Sequence, residues 1–510
     1  MKNQLSRRDF LKLAGLLPLG MAAPRILRTL DQPPMQGGKP QNVIIIVFDA
    51  WSTYHLPMHG YARGTTPNIT RLAQRAIRYH NHYANANFTS PGAASLLTGV
   101  LPWTHRAFNL GGTVDKSFES RSIFHAFPNH HRITYTHNIW AQNITRQFEG
   151  GIDEFIPREE LLLASLDNFI PRIFPNDEDL AGVSWTRAMK IGEEGYAYSL
   201  LFSHLNESLQ KKRLENILEQ FPRGLPTSGV DSGFTLENAR NYLTDRLASI
   251  TQPILGYFHF LPPHFPYRTS IEFDNAFTGD GYQPVEKPRD LFAGNERTNL
   301  GMKRRLYDEF ILYCDLEFAR LFDFLETSGL LDNTWLILTS DHGEMFERGI
   351  NGHSTDVLYQ PLLRVPLMIF EPGRATGLDV YDNTSAIDLL PTLTHVTGQP
   401  IPAWTEGDIM TPFNPAGKMP DRAIHALRGT KNEKYAPLTV ATFAMMRGGY
   451  KLHRYIGYPQ TPNGLTQLYD IKADPEELNN LAKVKPETVA EMLNELQIKL
   501  KEMDAPYLKS

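Results

Sequence analysis

Cysteine is nearly absent from this 510-residue chain, with Cys314 standing alone. No intramolecular disulfide can form, so the fold must rest on packing and polar contacts. Cys314 sits in a helix-like pattern, Tyr307 to Leu316, which predicts a buried structural thiol. An excess of one charge is also missing. Lys plus Arg number 51 against 56 Asp plus Glu, for a net charge of −5. No basic run or base-stacking aromatic cluster stands out, which excludes a nucleic-acid surface. No repeat or low-complexity tract interrupts the chain, and its composition is that of an ordinary globular protein. Its length is large for one domain. The N-terminal apolar stretch, Leu13 to Ala23, is too short for an ordinary spanning helix and is interrupted by Pro18.

That stretch follows Ser6-Arg7-Arg8-Asp9-Phe10-Leu11-Lys12. The order of charged and apolar regions resembles a twin-arginine export signal. Such signals carry proteins that fold, often with metal, before export, which agrees with the lone cysteine. The expected partner is therefore the twin-arginine machinery, and the expected destination is periplasmic or extracellular. Met21-Ala22-Ala23 could precede a cleavage point; uncleaved, the segment would anchor the chain to a membrane. Pro24 to Pro40 reads as a linker.

Beyond residue 40, two continuous apolar runs stand out. Val43-Ile44-Ile45-Ile46-Val47-Phe48 ends in Asp49, and Trp335-Leu336-Ile337-Leu338-Thr339-Ser340 ends in Asp341-His342-Gly343-Glu344. Unbroken apolar runs predict strands buried on both faces, hence a mostly parallel sheet. Ligand sites in such sheets gather at the carboxyl ends of strands. Asp49 and Asp341-His342 therefore make a candidate divalent-metal site. Thr89 is the third contributor. It precedes Ser90-Pro91, which predicts a helix start with Ser90 as cap and Thr89 just outside. A hydroxyl beside a helix N-terminus can bind a metal, or attack phosphorus or sulfur. The plain alternative for Thr89 is an ordinary capping threonine.

From about Asn42 to Ala482 the chain resembles the sulfatase family of the alkaline-phosphatase superfamily. The resemblance rests on seven segments in order. They are Asn42 to Asp49; Thr66-Pro67-Asn68-Ile69-Thr70-Arg71-Leu72-Ala73; Thr89 to Gly99; and Asn333 to Glu344. Then come Leu358-Tyr359 with Arg364-Val365-Pro366-Leu367; Asp388-Leu389-Leu390-Pro391-Thr392-Leu393; and Leu468-Tyr469-Asp470 with Asp474-Pro475-Glu476-Glu477 and Asn480-Leu481-Ala482. Three departures matter. Thr89 occupies the position of the formylglycine precursor, and threonine cannot become that aldehyde. Ala93 replaces an arginine, and Ala50 replaces the second aspartate of the usual pair. The set Asp49, Thr89, Asp341, His342 instead resembles the one-metal site of phosphoethanolamine and glycerol-phosphate transferases, where a threonine is the nucleophile.

The resemblance implies an α/β, alkaline-phosphatase-like core, with a mostly parallel sheet between helices and a smaller C-terminal α+β subdomain. Residues 1–40 form the signal and linker. Residues 41–400 form the catalytic domain, with a helical insertion at about 150–250. Residues 420–510 form the C-terminal part, with a small antiparallel sheet and a terminal helix. Pro253 to Phe260 and Leu367 to Phe370 are further strand candidates, and Gln399 to Pro420 reads as a linker. Val440 to Tyr455 and Leu465 to Asp470 read as short antiparallel strands. Val489, Met492, Leu493, Leu496 and Leu500 make an apolar helical stripe.

His353 and His264 resemble family histidines that contact substrate, and are the remaining catalytic candidates. His137 occupies roughly the place of a third such histidine, in poorer context. The metal set is Asp49, Thr89, Asp341 and His342. Its donors favour Mn²⁺ or Zn²⁺, with Ca²⁺ or Mg²⁺ admissible. The expected activity is metal-dependent cleavage of sulfate or phosphate esters through Thr89, on a small-molecule, glycan or lipid-head-group substrate. The alternatives are a phosphoethanolamine- or glycerol-phosphate-type transferase, or an inactive binding protein of the same fold. The lipid-linked transferases carry a multi-span membrane region that this sequence lacks, which favours hydrolysis.

Overall fold

A computed structural model describes residues 40–163, 214–228, 233–294 and 299–508 save 418 and 420, with scattered positions between 201 and 212. The expected export signal, all but the last residue of its linker, and much of the expected helical insertion lie outside the described residues.

At the centre is an eight-stranded sheet. Its first strands are β1 (Asn42–Asp49), β2 (Ile77–Tyr83), β3 (His131–Thr136), β4 (Glu154–Ile156), β5 (Ile254–Pro263) and β6 (Thr334–Thr339). A two-stranded ribbon, β7 (Phe346–Glu347) and β8 (Ile350–Asn351), comes after β6 in sequence. The central sheet then takes up β9 (Leu367–Phe370) and β10 (Leu378–Ser385). The spatial order is β10-β2-β9-β6-β1-β5-β3-β4. Only β9 runs against its neighbours; every other pair is parallel. The sheet is thus mostly parallel, as the apolar runs predict.

Strand β1 is buried at all eight positions. Its alternate side chains feed two separate cores, as the period of two requires. Ile44, Ile46 and Phe48 join one core with Tyr307, Phe310, Ile311, Cys314 and Phe318 of a long helix. Val43, Ile45 and Val47 join the other with Leu96, Leu97, Leu389, Leu390 and Leu393. The helices involved are α1 (Pro67–Leu72), α2 (Thr89–Thr98), α3 (Ile139–Arg146), α4 (Leu236–Ser249), α5 (Leu300–Thr327) and α6 (Leu389–Val396). The result is a sheet with helices on both faces. Cys314 is buried in α5, as predicted.

The Thr66-Pro67-Asn68 segment acquires a structural reason. It opens α1, and its N-terminal donors are capped from a distance. Asp315 on α5 accepts the Asn68 and Ile69 amides at 3.0 and 2.7 Å, and the Asn68 side chain at 2.8 Å. The motif thereby ties α1 to the helix behind the sheet.

The C-terminal sheet has four antiparallel strands, β11 (Ile424–Arg428), β12 (Ala441–Arg447), β13 (Tyr450–Ile456) and β14 (Leu465–Asp470). The first of these is not among the strands expected from sequence. Helix α7 (Pro486–Asp504) covers the sheet, burying Met492 and Leu496 against Leu452 and Leu468. Of the stretch expected to be a linker, Gln399 to Pro420, the described residues are docked rather than free. The Trp404 indole donates to Thr98 O at 3.1 Å, Glu406 accepts the Leu101 amide at 2.7 Å, and Met410 is fully buried. Its Pro and Gly content sets an irregular path without loosening it.

Candidate active site

Strand parity and register assemble this site. On β1 the odd-numbered residues face the core that holds α2. Leu255 and Tyr257 of β5, and Trp335 and Ile337 of β6, face the same way. Continuing each alternation by one or two steps puts Asp49, His259 and Asp341 on that face, at one end of three adjacent parallel strands. Register agrees, since Val47 pairs with both His259 and Thr339. Ala50, directly after Asp49, turns the chain with φ of 59°. Non-glycine residues adopt such a backbone at a cost and only where the surroundings hold it. Here the Ala50 amide donates to Asp341 Oδ1 at 3.3 Å and its carbonyl accepts from Tyr307 at 2.6 Å.

Helix α2 brings Thr89 to these strand ends. Thr89 is the first residue of α2 rather than the residue before it, and the preceding Phe88 makes no side-chain cap. Ser90 does not cap either; its hydroxyl accepts the Gly111 amide at 3.2 Å. The capping reading of Thr89 fails on contacts. Its Oγ lies 3.4 Å from His342 Nε2 and accepts from Asn138 Nδ2 at 3.2 Å. Gly92, one turn on, explains how α2 comes so close. A Cβ there would lie 2.4 Å from the Asp341 carbonyl oxygen, so only glycine lets helix and strand meet.

Asp49, Asp341, His342 and His259 are all fully buried. His342 Nε2 stands 3.4 Å from Asp49 Oδ1 and 3.6 Å from Asp341 Oδ2. His259 Nε2 stands 3.2 Å from Asp49 Oδ2 and 3.7 Å from Asp341 Oδ2. Asn138 Nδ2 donates to Asp49 Oδ2 at 2.5 Å. Burial pushes the Asp49 carboxyl up, but the histidines His264, His259 and His342 outweigh it and hold Asp49 below the usual carboxylate range. Burial and the neighbouring Asp49 charge push Asp341 up. Burial opposes protonation of His259, and the Asp341 and Asp49 carboxylates more than offset it. For His342 burial prevails and its pKa falls.

Two buried carboxylate oxygens, Asp49 Oδ1 and Asp341 Oδ2, have no hydrogen-bond partner among the described residues. Such groups are costly unless a cation compensates them. Asp49, His259 and Asp341 each offer a donor atom within 4.8 Å of the others'. The donor set therefore fits a divalent metal.

His353 and His264 complete the cluster. The His353 ring lies 4.4 Å from the His342 ring and 4.8 Å from the His264 ring, centre to centre. Both rings have Nδ1 held: His353 by Glu344 Oε1 at 3.0 Å, His264 by the Phe265 carbonyl at 2.6 Å. That leaves each Nε2 available to a substrate. Asn87, two residues before Thr89, donates to the His353 and Thr355 carbonyls at 2.8 and 2.9 Å, tying this loop to the start of α2.

All six sequence candidates, Asp49, Thr89, His264, Asp341, His342 and His353, thus come together. His137 does not join them. Its ring stacks on Phe234 at 3.9 Å, in the company of Tyr135 and Phe260. The β3 alternation that sends Ile133 and Tyr135 to the α5 side carries His137 with them and leaves the next residue, Asn138, for the site. Sequence reasoning missed Asn138, His259, Glu344 and Asn87. One signal for His259 was present: it is the lone polar residue in the apolar run Ile254 to Leu261.

Comparison with known proteins gives the family and the fold. The Sulfatase family model matches residues 41–399, and the model for the C-terminal part of N-sulphoglucosamine sulphohydrolase matches residues 353–505. The chain is 26% identical to the choline-sulfatase of Rhizobium meliloti, over 88% of this chain and 83% of that one. It is 24% identical to an N-acetylgalactosamine-6-O-sulfatase of Bacteroides thetaiotaomicron, over 90% and 92%. The phosphonate monoester hydrolase of Agrobacterium radiobacter superposes with a TM-score of 0.63 at 19% identity, covering 92% of this chain and 96% of that one. With its motifs in order, its sheet and its buried acid–histidine centre, this chain belongs to the sulfatase family of the alkaline-phosphatase superfamily.

Proposed function

We propose that this protein hydrolyses sulfate or phosphate esters through Thr89, with a divalent metal held at Asp49, Asp341 and His342 beside the Thr89 hydroxyl. One observation carries the reading. The Thr89 hydroxyl opens helix α2 at the point where both buried carboxylates and His342 converge. A bound ion would lower the hydroxyl pKa and neutralise charge on the transferring group. Thr89 Oγ attacks the sulfur or phosphorus and gives up its proton to solvent. The bond to the leaving oxygen breaks, and that oxygen takes a proton from Nε2 of His264 or His353. Asn138 holds the Thr89 side chain in line by its hydrogen bond. Water then attacks the Thr89 adduct and gives a proton back to that histidine, while solvent supplies the proton of the restored Thr89 hydroxyl and sulfate or phosphate leaves. No step requires formylglycine, because threonine supplies the oxygen itself.

The test is a parallel screen of sulfate esters, phosphomonoesters and phosphodiesters with protein loaded with Mn²⁺, Zn²⁺ or Ca²⁺. Ion-dependent turnover of at least one class is expected. Unchanged turnover after chelation would remove the metal from the mechanism. Bound metal with no turnover in any class would identify a binding protein of the same fold.

We also infer export of the chain by the twin-arginine route, from Arg7-Arg8 and the apolar stretch after them. A reporter fused after Pro40 should leave the cytoplasm, and the double change Arg7→Lys, Arg8→Lys should retain it there. Export that survives the double change would refute this inference.

A further inference from the structure

We propose that His259 is itself a metal ligand, so that the ion sits among two carboxylates and two imidazoles, His259 and His342. The inference rests on the proposed metal centre and goes beyond it, by adding a residue from the middle of the sheet and by narrowing the class of ion.

Distances support it. In a tetrahedral shell with bonds of about 2.0–2.1 Å, neighbouring donors stand roughly 3.4 Å apart. His259 Nε2 is 3.2 Å from Asp49 Oδ2 and 3.7 Å from Asp341 Oδ2. These values match those of His342 Nε2 to the same two carboxylates, 3.4 and 3.6 Å. Both imidazoles thus approach the same two carboxylates, His259 on the Oδ2 side of Asp49, within hydrogen-bond reach of it, and His342 on the Oδ1 side.

Orientation supports it too. His259 Nδ1 lies 3.0 Å from the hydroxyl of Tyr257, itself fully buried. A ligating histidine almost always has its other ring nitrogen held, most often by a carboxylate, backbone carbonyl or water; here the Tyr257 hydroxyl holds Nδ1, fixing the ring and leaving Nε2 to the ion. Ala50, directly after Asp49, offers no side-chain donor. His259, on the neighbouring strand, supplies a donor to the same cluster from another direction. An imidazole in place of a carboxylate shifts preference away from Ca²⁺, which seeks six to eight oxygens, toward Zn²⁺ or Mn²⁺. The competing role for His259 is charge pairing: a buried imidazolium balancing Asp49 and Asp341, displaced when an ion enters.

X-ray absorption on the zinc-loaded full chain separates the two roles without a variant. Two imidazole ligands are expected; one imidazole would overturn the proposal. Chelator competition gives a second measure. His259→Ala should weaken Zn²⁺ binding by more than about 100-fold, and Tyr257→Phe by about 10-fold, within the range of changes to outer-sphere partners. Wild-type affinity in a folded His259→Ala protein would overturn the proposal. A wild-type protein that holds no metal at all would refute the metal centre as a whole, a result distinct from a centre with one imidazole.

Discussion

Changing Thr89 to alanine is expected to lower kcat by about 10⁴-fold or more, the scale seen when a covalent nucleophile is removed. The expectation comes from the surroundings of the hydroxyl. It caps nothing, and its two contacts are His342 Nε2 and Asn138 Nδ2, both in the site. The fold should survive. Alanine is tolerated at the first position of a helix, and the loss should cost at most about 1 kcal/mol, the value of a cap. Thr89→Ser should retain part of the activity, since it keeps the oxygen and loses the methyl group that restricts its rotamer. Mass spectrometry of wild type quenched during turnover should find a phosphoryl or sulfuryl group on Thr89. Turnover by Thr89→Ala at the wild-type rate would transfer the nucleophile's role to water.

Asp341→Ala should have an effect of similar size by another route. The variant should lose bound metal, measured by elemental analysis, and with it ion-dependent turnover. Its thermal stability should fall furthest below that of wild type when metal is present. Loaded wild type is stabilised by ligand linkage, which the variant cannot share. Metal-free wild type instead holds two fully buried carboxylates side by side, and burial with the Asp49 charge pushes the Asp341 carboxyl up. Removing one of them relieves that repulsion. It also removes the oxygen that accepts the Ala50 and His342 amides, so the loaded proteins should differ in melting temperature by more than the metal-free ones. Equal metal content in the two proteins would show that Asp341 is not a ligand.

The strand ends were legible because β1 and β6 are apolar without a break, and a polar residue ending such a run stands out. Thr89 was legible through its place in an ordered series of motifs. What sequence could not supply was register. His259 becomes a site residue only because β5 lies beside β1 with Val47 opposite it. The choice between His137 and Asn138 turns on one step of alternation at the end of β3, and adjacent polar residues give no local sign of which faces the site. Strand β9 was found but not its direction, since an apolar four-residue run reads alike either way. The closing motif shows the same limit. Glu477 reads as part of a family signature, yet its role is a buried anchor. It accepts the Gln360 amide at 2.6 Å, lies 2.9 Å from the Lys451 ammonium and contacts His453 Nε2 at 3.1 Å.

The chain positions of the donors have one more consequence. His259 meets Asp49 across 210 residues of chain, and the Ala50 amide meets Asp341 across 291. A ribosome that has released only β1 through β5 has made no complete centre, because both residues from the end of β6 are still to come. If the proposed centre takes up an ion, capture therefore follows the arrival of β6 rather than guiding the start of folding. If the chain leaves by the proposed route, which passes folded proteins, capture precedes translocation. The ion would then be chosen from the supply where the chain is made, and an enzyme acting outside would carry the metal of the cytoplasm.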